Sequence, residues 1–319
     1  MIGYQKMEPK YFSEFAFHNF NTGVCSFPTY QFYDLTPEML GKYYTDSHIY
    51  AIYKCPKVYI CDNPQISPET VVINVKFMNW QNEWKIETHS IPNNSKSKIK
   101  KIVLSEERDL MQIIFENGNS YPYKNNMPVY HLLRMTKLAS NSKIGKILYI
   151  GQAFAKGERT AFKRLQSHST LQKILAKETQ DKFHEIGILL FLYTNPPTLL
   201  HMMNGGTSPE ISGKEDIAHM NTVLTKKYDI RENISIIEAS LIKYFSPIYN
   251  TQFKGQYPSV SNSHLTTAYS LDFNAIITEV DTEDIQLNIY SDTVTPNYHH
   301  IAQFDLFSQE KRKSFFDIE

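Results

Sequence analysis

Two residues that could bind a phosphate group lie in a predicted helix over residues 160–177. Apolar residues recur there at helical spacing, and basic residues fill the remaining positions. Arg164 and His168 are four positions apart, so a helix places both on one face. A guanidinium group can bind a phosphodiester through two hydrogen bonds and stabilise negative charge that develops on phosphorus. The alternative is that Arg164 is a surface arginine of a solvated basic helix.

A carboxylate occupies the apolar side of a second predicted helix, over residues 235–245. Glu238 shares a helical face with Leu241 and Ile242, which should point to the core or to a cleft. A carboxylate in such a place needs a partner, and a divalent cation is one that fits. The competing interpretation is a capping box, in which Glu238 reaches back to Ser235 at the start of the helix.

Strands must position these side chains, and three runs of residues are typical of strands. They are Val129–Met135, residues 146–150 and residues 186–193, the last of them continuously apolar and suited to a buried central strand. The first two runs, joined by a polar turn, are predicted to form a β-hairpin. A long irregular insertion is expected between the third run and the helix of Glu238.

These motifs, taken in order, resemble those of the GIY-YIG nuclease family. The family combines a strand ending in Tyr-Ile-Gly, a helix with Arg-x-x-x-His, and a later helix with Glu-x-x-Leu-Ile that closes on Pro-x-x-Asn. This chain has Tyr149-Ile150-Gly151, then Arg164 and His168, then Glu238 and a closing Asn250. The resemblance covers roughly residues 129–250 of the 319.

The resemblance implies a catalytic set of five residues, which are Tyr130, Tyr149, Arg164, His168 and Glu238. Tyr130 would be the first of the family's two tyrosines, although it follows Pro128-Val129 where the family has Gly-Ile. Glu238 would hold one Mg²⁺ or Mn²⁺. A tyrosine would activate water if neighbouring cations lower its pKa.

The resemblance also concerns three further residues, two that would support the site and one that is an alternative to Arg164. Gly151 and Asn250 would support the fold of the site. Arg159 is a rival to Arg164, which is preferred because His168 follows it at the family's interval.

The distribution of charge is uneven in a chain whose formal net charge is zero. Residues 134–177 contain ten lysines and arginines and one acidic residue, whereas residues 270–319 contain ten acidic residues and three basic ones. A basic stretch of this purity is typical of a phosphate-binding face, and with the resemblance it implies nucleic acid, here double-stranded DNA, as the partner. The predicted nucleic-acid-binding residues are Lys146, Lys156, Arg159, Lys163 and Lys173. A solvated surface balanced by the acidic tail is the alternative.

The predicted fold class is α+β, in three segments. Residues 1–120 should form a β-rich domain that could recognise a target, and residues 121–255 a GIY-YIG-like domain with a central three-stranded antiparallel sheet flanked by helices. Residues 256–319 form an acidic extension of unassigned fold. A protein partner could bind through either flanking segment.

The composition of the chain predicts where in the cell the protein is located. The three cysteines are too few for a disulfide framework, and no apolar run is long enough for a membrane span. With no secretory signal at the amino terminus, a cytoplasmic protein with no membrane association is expected.

The function predicted is a metal-dependent endonuclease that hydrolyses phosphodiester bonds in DNA. Bacterial defence, restriction or a mobile element are settings in which such an enzyme could act. Two alternatives remain open: an inactive nucleic-acid-binding protein that keeps the fold, and a protein-interaction module with a chance motif.

Overall fold

The computed structural model of the chain describes residues 9–32, 34–122, 126–136, 138–154, 160–166, 169–178, 180–203, 213–255, 257–306 and 312–317. The strands in these segments are β1 Ser13–Pro28, β2 Ile49–Pro56, β3 Tyr59–Ile60, β4 Gln65–Ile66, β5 Thr70–Met78, β6 Trp84–Pro92, β7 Ile99–Leu104, β8 Leu110–Phe115, β9 Ser120–Tyr121, β10 Met127–Pro128, β11 Ile144–Gln152, β12 His184–Tyr193, β13 Thr198–Met203, β14 Ala275–Asp281, β15 Asn288–Tyr290 and β16 His299–Asp305. The α-helices are α1 Pro37–Leu40, α2 Lys42–Asp46, α3 Val129–Met135, α4 Ala161–Leu165, α5 Ser169–Glu178, α6 Lys214–Thr225, α7 Ile230–Phe245 and α8 Thr266–Ser270.

Eight strands form the main sheet, in the order β15-β11-β2-β12-β1-β14-β16, with β13 also paired to β1. At its centre, β2 is antiparallel to both of its neighbours, β11 and β12. The fold is mixed α+β, as predicted from the sequence. Strands from all three predicted segments enter this sheet, so the boundaries placed after residues 120 and 255 do not separate its strands.

The hairpin predicted from the sequence is wrong. Val129–Met135 forms helix α3 rather than a strand, and the partner of β11 is β2. The residues of α3 include types that favour strands, but Val129, Tyr130 and Leu133 are all buried in the core beneath the sheet. Burial on one side of a helix therefore outweighs the local preference of these residues for extended structure.

An inserted segment, residues 57–143, leaves the main sheet after β2 and returns to it at β11. It contains two small sheets, one in which β5 pairs with β3, β4 and β6, and one in which β8 pairs with β7, β9 and β10. Buried side chains of β5 and β8 join the same hydrophobic cluster as β2 and α7. Residues 1–120 are thus rich in strands, but these strands are divided between sheets. β1 and β2 belong to the main sheet, and β3 to β9 belong to the two small sheets.

Several other elements refine the sequence-based predictions. The helix expected over residues 160–177 is divided into α4 and α5, and the expected irregular insertion contains β13 and α6. The acidic extension supplies β14, β15 and β16 to the main sheet. In the described segments, no helix has the length and apolar character needed to cross a membrane. All three cysteines have free thiols.

Candidate active site

A β-bulge in β11 determines where Tyr149 points. Ile147 lies opposite Tyr53 of β2, but Tyr149 lies opposite Ile52, so Leu148 is an extra residue on β11. Side chains alternate between the faces of a strand, and one additional residue reverses that alternation. As a result Tyr149 packs on the same hydrophobic cluster as Tyr50 and Ile52. The bulge therefore directs Tyr149 towards α4 and α5.

Tyr50 is the residue that sequence reasoning missed. It lies opposite Gly151 in the β2–β11 pair, and its ring centroid is 6.1 Å from that of Tyr149. A Cβ atom at Gly151 would be 2.6 Å from the Tyr50 hydroxyl and 2.8 Å from the Tyr149 ring. The absence of a side chain at Gly151 thus gives both rings their space.

The signal for Tyr50 was present in the sequence. His48-Ile49-Tyr50 has Ile-Tyr in common with a Gly-Ile-Tyr motif, and it lies on the strand that pairs with the strand of Tyr149-Ile150-Gly151. The inserted segment places these two motifs far apart in the chain.

Arg164 is carried to the tyrosines by α4. The side chain of Thr160 caps this helix by accepting a hydrogen bond from Lys163 N, and Ala161 N donates to Ser47 O (2.9 Å) beside the start of β2. On the buried side of α4, Phe162 packs into the cluster that contains Tyr50. From this position the Arg164 guanidinium donates a hydrogen bond to the Tyr50 hydroxyl.

Glu238 reaches the same place from α7. This helix begins at Ile230, and its amino-terminal cap is Asp229, which accepts a hydrogen bond from Arg231 N (2.7 Å). Ser235 lies inside the helix, so the capping-box interpretation of Glu238 is wrong. The carboxylate instead accepts hydrogen bonds from the side chain and the backbone of Gln152, the last residue of β11.

Burial raises the pKa of the Glu238 carboxyl group to about 7. The hydrogen bonds from Gln152 and the positive charge of Arg164 oppose this shift without cancelling it. Gln152 is itself oriented by the Ser235 hydroxyl, which lies 3.3 Å from its amide nitrogen. The site therefore holds a carboxyl group that is costly to ionise unless a further positive charge approaches it.

The pKa shifts of the two tyrosines differ from the sequence-based expectation. Burial raises the pKa of Tyr149, and the nearby Glu238 carboxylate adds to the increase, while Tyr50 and Arg164 lower it. The pKa of Tyr50 is raised even more strongly by burial. Its hydroxyl accepts a hydrogen bond from Arg164 and shares one with the hydroxyl of Tyr149. In this arrangement both tyrosines are neutral phenols that can orient a ligand by hydrogen bonding.

Asn250 ties the strand of the site to the end of α7. Its side-chain oxygen accepts a hydrogen bond from Ile150 N (2.9 Å), and its side-chain nitrogen donates to Ile150 O (2.8 Å). The amide therefore satisfies both backbone groups of the residue between Tyr149 and Gly151. Asn250 thereby fixes the backbone of β11 beside Tyr149 and Gly151.

Tyr130 is not part of this group of side chains. It lies on α3, is 1% exposed, and donates a hydrogen bond to Ile144 O (3.0 Å) at the opposite end of β11 from Gly151. Its pKa is raised well above the ordinary value by burial. The prediction of Tyr130 as the first tyrosine on a strand is therefore contradicted by its place in the fold. His168 lies outside the described residues.

The predicted basic face includes residues with interior roles. Arg134 is 8% exposed and donates hydrogen bonds to Ile285 O, and Lys143 is fully buried and donates to Thr136 O. Of the predicted nucleic-acid-binding residues, Lys146 forms an ion pair with Asp292 (2.6 Å). Lys163 on α4 and Lys173 on α5 are exposed, and Lys156 and Arg159 lie outside the described residues.

Replacing Gly151 by alanine is expected to destabilise the protein by about 1–3 kcal/mol, because the new methyl group overlaps two tyrosine rings. The rings must move apart, so the hydrogen bond between Tyr50 and Tyr149 should be weakened as well. Chemical denaturation would measure the loss of stability. Gly213→Ala is the matched control, because a Cβ atom at Gly213 meets no atom of the described residues within 4 Å. Equal stability of the two variants would contradict the close packing at Gly151.

The raised pKa of Glu238 predicts a pH dependence of stability. In the unfolded chain the group ionises near its ordinary value of 4.5, whereas in the folded protein it ionises near 7. Between these values the folded state binds more protons, so Glu238 makes the folding free energy less favourable as pH rises from 4.5 to 7. The total effect should reach about 3 kcal/mol, since one pKa unit corresponds to about 1.4 kcal/mol.

Comparison with a Glu238→Gln protein isolates this effect from other titrating groups. In EDTA, the stability of the wild type relative to this variant should fall across that pH range and stay constant above it. A difference that does not vary with pH would show that Glu238 ionises normally in the folded protein.

The donor set around Glu238 restricts the kind of cation that could bind there. In the segments that the structure describes, no group of three or more histidine, cysteine or acidic side chains is arranged to hold a metal ion. A single carboxylate suits Mg²⁺, which commonly keeps several water molecules and takes one or two carboxylates from a protein. The residues present therefore fit a hydrated cation of this type better than a fully protein-bound metal.

Comparisons of this chain with models of protein families, with curated proteins and with solved structures gave no match.

Proposed function

We propose that this protein is a metal-dependent endonuclease similar to the GIY-YIG family, which hydrolyses phosphodiester bonds in DNA. The proposal rests on one observation above all. Tyr50, Tyr149, Arg164 and Glu238 belong to four separate elements, and their side chains interact at the end of β11 where Gly151 and Gln152 lie.

The revised first tyrosine strengthens the resemblance. In the family, the Gly-Ile-Tyr and Tyr-Ile-Gly motifs lie on paired strands. Here Tyr50 on β2 lies opposite Gly151 on β11 and Ile49 lies opposite Gln152, and β12 pairs with the other side of β2. These three antiparallel strands support the proposal. They belong to a larger sheet, and residues 57–143 lie between the two motifs.

The chain's own residues can divide the work of phosphodiester hydrolysis. Arg164 can bind a phosphate oxygen and stabilise the charge that increases on it in the transition state. Tyr149 is partly exposed and can orient a water molecule towards phosphorus through its hydroxyl. Tyr50 is fully buried and links Arg164 to Tyr149, so it is a positioning residue.

Glu238 is the residue that would hold the divalent cation, with water and substrate oxygens as the remaining ligands. When bound, Mg²⁺ or Mn²⁺ would polarise the phosphate and stabilise the leaving oxygen. The raised pKa of Glu238 fits this role, because a nearby cation would favour the ionised carboxylate that burial disfavours.

The surface beside the site can accept a polyanion. Lys163 is exposed on α4, the helix that also carries Arg164. Lys173 is exposed on α5, the next helix along the chain. Exposed cations attract the phosphates of a nucleic acid whatever its sequence. The affinity for nucleic acid should therefore fall steeply as the salt concentration rises.

Cleavage of plasmid and single-stranded DNA in Mg²⁺, in Mn²⁺ and in EDTA tests the proposal. We expect cutting with either cation and none with EDTA. The inactive nucleic-acid-binding alternative predicts salt-dependent binding without cutting under all three conditions. The protein-interaction alternative predicts neither cutting nor salt-dependent affinity.

A further inference from the structure

A large cavity lies away from the candidate active site. Its volume is about 940 Å³, and it is lined by residues of the inserted segment and by residues 181–186 around the start of β12. β2 runs from Ile49, beside the candidate active site, to Pro56, which is followed by the cavity residue Lys57. The two places therefore lie at opposite ends of one central strand.

Aromatic side chains form much of the wall of this cavity. Trp84 is 47% exposed and Phe183 is 45% exposed, and their ring centroids lie 5.3 Å apart with the rings nearly perpendicular. Tyr59 lies 6.4 Å from Trp84, and Tyr30, which is 56% exposed, also lines the cavity. Exposed aromatic faces around a space of this size suit the stacking of a flat ring.

A shielded carboxylate stands among these rings. Glu185 lines the cavity, and its Oε2 atom is inaccessible to solvent without a hydrogen-bond partner among the described residues. Tyr30 and Tyr59 line the same cavity, and the charge of Glu185 contributes to the raised pKa of both, after the larger effect of burial. Burial raises the pKa of Glu185 itself. An acceptor in this condition is stabilised by a ligand that donates hydrogen bonds to it.

Cations lie at the edge of the aromatic wall. Lys76 Nζ is 5.7 Å from the centroid of the Trp84 ring and 5.9 Å from that of Tyr59, and no hydrogen bond or ion pair fixes it elsewhere in the described residues. Lys182 is exposed beside Phe183. A ring stacked on Trp84 would thus have an ammonium group within reach of an attached phosphate.

We propose that this cavity binds an unpaired guanine nucleotide, with the base stacked on Trp84, Glu185 accepting from its Watson–Crick edge, and Lys76 near its phosphate. Guanine is the one common base that presents two adjacent donors, N1–H and the N2 amino group, on that edge, so it matches a carboxylate best. The ligand could be a free mononucleotide or an unpaired base within a strand.

Calorimetric titration of the full-length protein with GMP, IMP and AMP tests this proposal. IMP lacks the N2 amino group, and AMP presents an acceptor in place of N1–H. GMP should bind about tenfold or more tightly than either, because each loses a hydrogen bond to a charged acceptor. Equal affinity for GMP and IMP would overturn the role of Glu185, and no binding of GMP or of a guanine-containing oligonucleotide would overturn the site.

Variants with matched controls locate the binding. Glu185→Gln should lower GMP affinity about tenfold or more and remove the preference over IMP, because the amide donates where the carboxylate accepts. Trp84→Ala should weaken GMP, IMP and AMP together by about tenfold, since stacking does not depend on the base. Glu116→Gln and Trp80→Ala change exposed residues outside the cavity and should leave all three affinities unchanged.

The chain has two tryptophans, so Trp84 can also report binding directly. In a Trp80→Phe protein, quenching of tryptophan fluorescence by GMP would show that the nucleotide contacts Trp84. This readout does not require the Glu185 variant to fold. Binding of GMP without any change in Trp84 fluorescence would contradict the stacking.

Two further comparisons identify the source of the ligand and separate this proposal from the proposed nuclease function. Tighter binding of a single-stranded TTGTT oligonucleotide than of GMP supports an unpaired base in a strand, and equal or weaker binding supports a free mononucleotide. All titrations are run in EDTA and repeated with the Glu238→Gln protein. Loss of cleavage activity and loss of guanine binding are therefore scored independently.

Discussion

A Glu238→Gln protein should bind DNA with wild-type affinity but cleave it about 10²–10³-fold more slowly, or not measurably. The amide keeps the size of the carboxyl group and can still contact Gln152, but it carries no charge to hold a divalent cation. Removing a group that stabilises transition-state charge has effects of this size in other enzymes. Initial rates of plasmid nicking at saturating Mg²⁺, with affinity measured separately, would provide the comparison.

The control for this substitution is Glu215→Gln, which changes an exposed glutamate in the first turn of α6. It should leave both cleavage and affinity unchanged. If Glu238→Gln cleaves at the wild-type rate, the proposed metal ligand is wrong. If it loses affinity and cleavage in equal proportion, Glu238 contributes to binding the substrate rather than to the chemical step.

The second large effect is expected at Tyr50. Tyr50→Phe should lower kcat about 10²-fold, because its hydroxyl connects the Arg164 guanidinium to the Tyr149 hydroxyl. Without this link both groups can rotate away from the positions in which they face a phosphate, and misplacement of about 1 Å can cost that much in rate. The ring of Tyr50 remains, so the packing against Gly151 is kept and the folded structure should persist.

Tyr130→Phe is the matched control, and it separates the two candidates for the first tyrosine. Its hydroxyl donates a hydrogen bond to Ile144 O in the interior. Removing it should lower the free energy of unfolding by about 1 kcal/mol while the cleavage rate of the folded protein stays constant. A slow Tyr130→Phe enzyme beside a fully active Tyr50→Phe enzyme would reverse the assignment made from the fold.

Elements that depend on nearby residues could be predicted from the sequence. The sequence predicts the apolar run of β12, the strand β11 and the helix of Glu238, because their patterns are contained within the elements themselves. Arg164, Glu238 and Asn250 are candidates from the sequence alone, because each belongs to a short motif of neighbouring residues. The start of α7 was placed too late, since Ser235 and Glu238 match a capping box while Asp229 makes the actual cap.

Pairing between distant strands could not be predicted in this way. A strand pattern indicates which face is buried but not which strand lies beside it. The sequence therefore predicts a hairpin with the nearer segment Val129–Met135, whereas the partner in the fold is β2. The bulge at Leu148 is equally invisible in the sequence, because it is defined only by the register with the partner strand. Both features determine which tyrosine meets Tyr149.

The same pairing affects how this protein can be divided. β2 lies between β11 and β12, and it supplies hydrogen bonds to both. A fragment of residues 121–255 would keep β11 and β12 but lose the strand that joins them, so each would present an unpaired edge of mostly apolar residues. Such edges associate readily with other chains. Recombinant fragments that begin after the inserted segment should consequently aggregate. Fragments for expression need to start before β1, because β1 pairs with the other edge of β12.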